Sequence, residues 1–248
     1  MTGRRVLVTG ASRGIGAATA RRFAATGDRV AVHYGESNDA AEQTLASLDG
    51  TGHVLAQADL ADAAAVQAMV ELVAGQFGGI DVLVNNAGVF IPHPITDSTY
   101  EEWQQAWAHT LGVNLVGPAN VTWCAVRHMP PGGRIVNVSS RGAFRGEPGQ
   151  PAYGASKAGL IAFAQSMARA LGPHGIAVTT VAPGWVATDM AAARLEGPEG
   201  DVRRAESPLG RVATPEEVAA AIHYLASPEA EMASGTVLDL NGASLLRM

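Results

Sequence analysis

The 248-residue chain predicts an α/β protein built on a single doubly wound parallel sheet with helices on both faces. Three observations carry that expectation. Short β-rich runs alternate with longer helical patterns along the chain. Several runs, such as Val6-Leu7-Val8 and Val82-Leu83-Val84, are apolar throughout, as strands covered on both faces must be. A glycine-rich turn, Thr9–Gly16, follows the first run directly and opens a helical pattern.

The strand candidates, in order, are Arg4–Thr9, Arg29–His33, His53–Asp59, Asp81–Asn85, Arg134–Ser139, Ala177–Val181 and Thr236–Leu240. Between them the helical candidates are Ile15–Thr26, Ala40–Leu48, Ala61–Phe77, Tyr100–His128, Tyr153–Leu171 and Glu216–Leu225. Ser98-Thr-Tyr-Glu101 reads as a capping box. Thr214-Pro215-Glu216-Glu217 combines an N-cap Thr, Pro at the first helical position and Glu at the third. Gly27, Gly78 and Gly172 fall where helices should stop. No repeat, low-complexity tract or linker divides the chain, so residues 1–248 read as one domain. Residues 187–208 depart from the pattern. They are charged, carry Gly197, Pro198 and Gly200, and read as a flexible substrate flap.

Composition narrows the function classes. Apolar residues make up 47% of the chain, enough for a substantial core. The net charge of −6, without a basic run, argues against a nucleic-acid partner. Cys124 is the only cysteine, which rules out an internal disulfide, and the seven histidines lack metal-ligand spacing. No metal is expected. No signal peptide precedes the first strand and no apolar run is long enough for a bilayer, so a cytoplasmic protein with no membrane association is expected.

Two motifs carry chemistry on their own terms. Gly10, Gly14 and Gly16, with Ser12, Arg13 and Ile15 between them, sit between a strand and a helix. Glycines there let phosphates approach backbone amides at a positive helix end. Tyr153 and Lys157 stand four residues apart and so share a helix face. An ammonium beside a phenol is expected to lower its pKa and make it a general acid or base for a carbonyl/alcohol pair.

With these in place, the chain resembles the short-chain dehydrogenase/reductase family. The match runs in order through Thr9–Gly16, Asp59, Asn85-Asn86-Ala87-Gly88, Asn114, Ser140, Tyr153/Lys157 and Pro183-Gly184-Trp-Val-Ala-Thr188. The resemblance implies a Rossmann-type sheet of order 3-2-1-4-5-6-7 and a homotetramer. It implies Tyr153 as the acid/base and Lys157 as the partner that binds the nicotinamide ribose. Ser140 would bind the substrate oxygen, chosen over Ser139 because it matches the family's spacing to the Tyr; strand alternation also puts the two on opposite faces, so only one can face the pocket. Asn114 would anchor a water in a proton relay, unless it merely satisfies helix backbone. Asp59 and Leu60 would meet the adenine, with a plain helix cap as the other reading of Asp59. Asn86, Ala87 and Gly88 would line adenosine and ribose, while Asn85 ties neighbouring strands. Pro183, Gly184, Val186 and Thr188 would surround the nicotinamide.

Cofactor choice turns on the end of the second strand. An acid there binds the ribose 2′-hydroxyl and repels a 2′-phosphate. Tyr34 occupies the usual acidic slot, Arg13 stands in the turn, and Ser37 adds a hydroxyl, which points to NADP(H); Glu36 is the dissenting charge. The expected function is reversible NADPH-dependent reduction of a ketone, including a 3-oxoacyl thioester, to a secondary alcohol. The pattern resembles 3-oxoacyl-acyl-carrier-protein reductases. However, the stretch before the fifth strand, Arg127-His-Met-Pro-Pro-Gly-Gly133, is short and poor in Lys, and His174 replaces a second basic position, so carrier-protein docking is expected to be weak. A secondary-metabolism ketoreductase or an alcohol dehydrogenase acting on a free small substrate is the alternative. A catalytically silent nucleotide-binding scaffold is the remaining one. Arg141 and Arg145, in the loop after Ser140, would favour a small anionic substrate, and His93 would edge the pocket.

Overall fold

The computed structural model describes residues 3–247. In chain order the elements are β1 (Arg5–Val8), α1 (Gly14–Ala24), β2 (Arg29–Tyr34), α2 (Asn38–Ala46), β3 (Val54–Gln57), α3 (Ala63–Phe77) and β4 (Val82–Asn85). There follow α4 (Tyr100–Leu111), α5 (Gly117–Val126), β5 (Arg134–Val138), α6 (Gly142–Arg145), α7 (Pro151–Leu171) and β6 (Ala177–Pro183). The chain ends with α8 (Asp189–Leu195), α9 (Gly197–Ala205), α10 (Pro215–Leu225) and β7 (Val237–Leu240). All strands pair in parallel, in the order β3-β2-β1-β4-β5-β6-β7. Among the described residues no helix is long and apolar enough to cross a membrane.

Strand alternation divides the core into two layers. In β1, Val6 and Val8 join a cluster with Phe23 of α1 and Ile222 of α10, while Leu7 joins Val70 of α3 and Val121 of α5 on the other face. Val6, Leu7 and Val8 are fully buried, which is why this part of β1 carries no polar residue; only Arg5, at the strand's start, is partly exposed.

Two expectations shift. The first capping box lies one residue later: Thr99 Oγ1 accepts from Glu102 N–H at 3.2 Å, and Glu102 accepts from Thr99 N–H at 2.8 Å. Consecutive glutamates made both registers readable. The run expected as one helix from Tyr100 to His128 is broken by a π-turn at Gly112–Val116, which carries Asn114. Close packing accompanies the break, since a Cβ on Gly117 would lie 2.8 Å from Leu60 O. The Thr214 box forms as expected. Gly78 closes α3 in the left-handed conformation, with φ 76°. Residues 187–208, expected as a flap, contain α8 and α9.

Candidate active site

The carboxyl ends of the strands open into a cleft of about 480 Å³. One wall is the glycine turn. Gly10 and Gly14 have positive φ of 61° and 56°, where a side chain would be strained. A Cβ on Gly16 would lie 2.1 Å from Gly10 O, and one on Gly14 would lie 3.2 Å from Thr188 Cγ2. Gly10, Ser12, Arg13, Gly14 and Ile15 line the cleft, whereas Gly16 lies behind them as the close-packing position. The start of α1 has no side-chain cap, so its first N–H groups are left without a capping partner at the positive end of the helix, where Gly14 and Ile15 line the cleft.

Asn86 pins this turn. Its Nδ2 donates to Thr9 O at 2.9 Å and Gly10 O at 3.0 Å, and its own N–H donates to Thr9 Oγ1 at 2.9 Å. Asn85, by contrast, ties β4 to β5 through Asn137 Oδ1 at 3.0 Å. Asn86, Ala87 and Gly88 line the cleft, as do Ser37, Asp59 and Leu60. Asp59 also accepts from Ala61 N–H at 2.9 Å, an Asx turn ahead of α3, whose N-cap is Asp62. The capping reading of Asp59 is thus partly correct, although the helix starts later than expected.

Tyr34 is a correction. β2 runs one residue further than expected, and alternation sends Tyr34 away from the cleft into the layer that holds Val30 and Val32. Its hydroxyl donates to Asn38 Oδ1 at 2.7 Å. His33 takes the cleft side instead, and sequence reasoning assigned it no role. Its Nδ1 accepts from Gly10 N–H at 3.0 Å and its Nε2 lies 3.1 Å from Ala58 O, so the neutral ring with its proton on Nε2 joins the glycine turn to the end of β3. Burial pushes its pKa down to about 4, against a smaller opposing effect of the Ala58 carbonyl. The signal available was a histidine in an apolar strand next to a glycine turn. Glu36 lines the cleft with Arg13, so both signs of charge are present there.

At the other end, Tyr153 and Lys157 project from α7 into the cleft. Tyr153 is half-buried, and the loss of water around its phenol raises the pKa to about 12, with the Ser140 hydroxyl lowering it less. The expectation that Lys157 depresses this pKa is therefore corrected. The Lys157 Nζ lies 5.7 Å from the ring centroid and donates to Val138 O at 2.9 Å. Burial lowers the lysine's own pKa to about 8. Ser139 turns away and donates to Lys157 O at 2.9 Å, while Ser140 Oγ accepts from Gly142 N–H at 3.0 Å and stands by the phenol. Asn114 is fully buried: its Oδ1 accepts from Val89 N–H at 2.8 Å, and its Nδ2 donates to Val89 O and Ser156 Oγ. Its backbone-satisfying role is real, but the backbone it serves belongs to the segment after β4 and not to its own helix.

Thr188 lines the cleft, whereas Pro183, Gly184 and Val186 lie behind it; Gly184 packs so closely that a Cβ would meet Asn241 at 3.0 Å. Arg141 and Arg145 are not offered to a ligand. Arg141 is buried and paired with Glu206, and Arg145 pairs with Glu206 and Glu147. His93 is buried, with Nε2 accepting from Ala152 N–H at 3.2 Å at the start of α7. Phe90 meets Tyr153 edge-on, with ring centroids 4.7 Å apart.

This geometry has close relatives. Residues 10–242 match a family model described as enoyl-(acyl carrier protein) reductase. A 3-oxoacyl-[acyl-carrier-protein] reductase of Synechocystis is 37% identical, across 99% of this chain and 98% of that protein. D-threitol dehydrogenase of Mycolicibacterium smegmatis is also 37% identical, across 100% and 95%. The crystal structure of a short chain dehydrogenase from Burkholderia cenocepacia in complex with NADP is 40% identical, with a TM-score of 0.90 over 98% of each chain. With likeness of this extent and a sheet of this order, the chain belongs to the short-chain dehydrogenase/reductase family of oxidoreductase enzymes.

Proposed function

We propose that the protein reduces a ketone to a secondary alcohol with NADPH. The single observation that carries this is the convergence of Tyr153, Lys157 and an uncapped helix start with its glycine turn on one cleft. The residues fit a dinucleotide: Gly10 and Gly14 leave space that a Cβ would strain, and the first N–H groups of α1 suit a pyrophosphate. The NADP and NADPH complexes among similar structures support the cofactor, and Arg13 is the cation for a 2′-phosphate. When bound, the reduced cofactor supplies the hydride. Tyr153, protonated well past neutral pH, holds the proton for the carbonyl oxygen. Ser140 orients that oxygen, and Lys157 stays cationic below about pH 8 to bind the ribose. Asn114, fixed in the π-turn, serves as an anchor behind α7. The α8–α9 segment acts as the substrate flap. A homotetramer is the assembly this reading takes from the family resemblance, and the cytoplasm is the location it keeps from the sequence expectation.

The 3-oxoacyl thioester remains the first substrate to test, given the names of the similar reductases. Docking of an acidic carrier should be weak, since His128 is held by Glu71 at 3.0 Å and so withdrawn from the small basic patch. The deciding measurement is NADPH and NADH oxidation over a ketone panel, with Tyr153→Phe as control. Tyr153→Phe should lose roughly 10²–10⁴-fold in turnover and still bind NADPH. Full retention of turnover, or a preference for NADH, sinks the corresponding part of the proposal.

A further inference from the structure

Arg194, on α8, stands over the ring of Phe90 with its guanidinium carbon 4.5 Å from the centroid. The same ring meets Tyr153 edge-on at 4.7 Å between centroids. One aromatic ring therefore separates a fixed cation from the proposed acid. The flap and the segments against it are rich in arginine, but those charges are already committed. Arg141, Arg145, Arg203, Arg204, Arg211 and Arg247 are each ion-paired with a carboxylate. Arg194 has no carboxylate partner among the described residues and is only half-buried. Stacking on Phe90 orients its planar fork without using its in-plane donors. A guanidinium so held is suited to bind a carboxylate through paired hydrogen bonds.

We infer that Arg194 is a specificity determinant, and that the preferred substrates are short oxo-carboxylic acids whose carboxylate lies one to three carbons from the ketone. The inference rests on the ketone-reductase reading above. Carboxylate capture by Arg194 sets the ketone oxygen toward Tyr153 and Ser140, and Phe90 packs against the carbons between. The anionic-substrate role expected of Arg141 and Arg145 thus passes to the one arginine of the flap whose charge is free. A neutral ester of the same acid keeps the carbon skeleton and loses the charge, so the two forms isolate this contact.

The experiment measures kcat/KM with NADPH for 3-oxobutanoate and 4-oxopentanoate and for their methyl esters, at low and high salt. The intact protein should prefer each acid over its ester by about tenfold or more at low salt, and less at high salt. Arg194→Met keeps a long chain over Phe90 and removes the charge. It should lower the acid-to-ester ratio by about 10- to 100-fold, the scale of losing one partner of a desolvated charge pair. Arg194→Lys should keep part of the preference. Equal efficiency for acid and ester in the intact protein overturns the inference, as does an Arg194→Met loss that is the same for both. Turnover of neutral ketones with both acids refused also overturns it. If no carbonyl compound of any kind is reduced, the ketone-reductase reading itself falls.

Discussion

The two sides of the cleft are built from different materials. The glycine-turn side is fixed on backbone atoms: Gly16 packs against the Gly10 backbone, and the side chains of Asn86 and His33 hold the backbone of Thr9 and Gly10. The flap side is held by long charged side chains, with Glu206 gathering Arg141 and Arg145, and Arg203 and Arg204 donating to the carbonyls of Arg194 and Leu195. Backbone packing tolerates almost no change in shape, whereas flexible charged side chains can rearrange, and the exposed pairs among them each contribute little. A dinucleotide demands one shape, while substrates vary, so under the proposed function the division of materials follows that division of labour.

The comparison breaks first at Gly16. Gly16→Ala puts a methyl group against backbone oxygen that has nowhere to go, so about 3 kcal/mol or more of stability should be lost, together with NADPH binding. Denaturation and cofactor titration would measure both; a variant that folds and binds normally would show that the turn is plastic after all.

His33 sharpens the comparison through pH. Its folded pKa of about 4 lies below the ordinary 6.5, so the unfolded chain takes up the proton first as pH falls. Stability should be intact above about pH 6.5 and decline down to about pH 4, by roughly 3 kcal/mol in all. Urea midpoints at pH 7 and pH 4.5 should diverge more for the intact protein than for His33→Asn, which lacks the titrating ring. Parallel declines in the two proteins would assign the acid sensitivity elsewhere.

On the flap side, Glu206→Gln should cost about 2 kcal/mol, because the buried Arg141 guanidinium keeps only a neutral acceptor where its carboxylate was. The readout that separates the two sides is kinetic: KM for the ketone should rise while NADPH affinity holds. A loss of NADPH affinity equal to the loss of substrate affinity would erase the distinction. The smallest effect is expected at Gly197, the flap's own glycine of positive φ, at 57°, with nothing within 4 Å of an added Cβ. Gly197→Ala should cost only about 1 kcal/mol, from backbone strain alone. Comparing its melting temperature with that of Gly16→Ala gives the same substitution on the two sides.

What could be read in advance follows the same line. The strand runs, the glycine turn and the Tyr153/Lys157 spacing were legible because backbone rules connect residues a few positions apart. Ser139 and Ser140 do take different partners, Lys157 O and Gly142 N–H, although both lie just beyond the end of β5. Tyr34 was not legible as a core residue, because the second strand continues one residue past His33 and alternation then turns Tyr34 inward. The fates of Arg141 and Arg145 were illegible, since Glu206 lies some sixty positions away in the chain and no periodicity links them. The π-turn that sets Asn114 was equally hidden: Tyr100–Val126 has a continuous helical pattern, and only packing against Leu60 and Val89 marks the break. The direction of the Tyr153 pKa was missed because a sequence shows the neighbouring ammonium but not the loss of water around the phenol.

The inward turn of Tyr34 has a consequence for how such a protein can diversify. A carboxylate at that position would have to enter an apolar layer, at a cost of several kcal/mol, before it could influence any nucleotide. Glu36 and Ser37, two and three positions further along, carry no part of the core and line the cleft directly. Substitutions there can retune the preferred nicotinamide cofactor with little risk to folding. Cofactor choice in this chain is therefore free to drift, or to be engineered, on a short surface loop while the scaffold beneath stays unchanged.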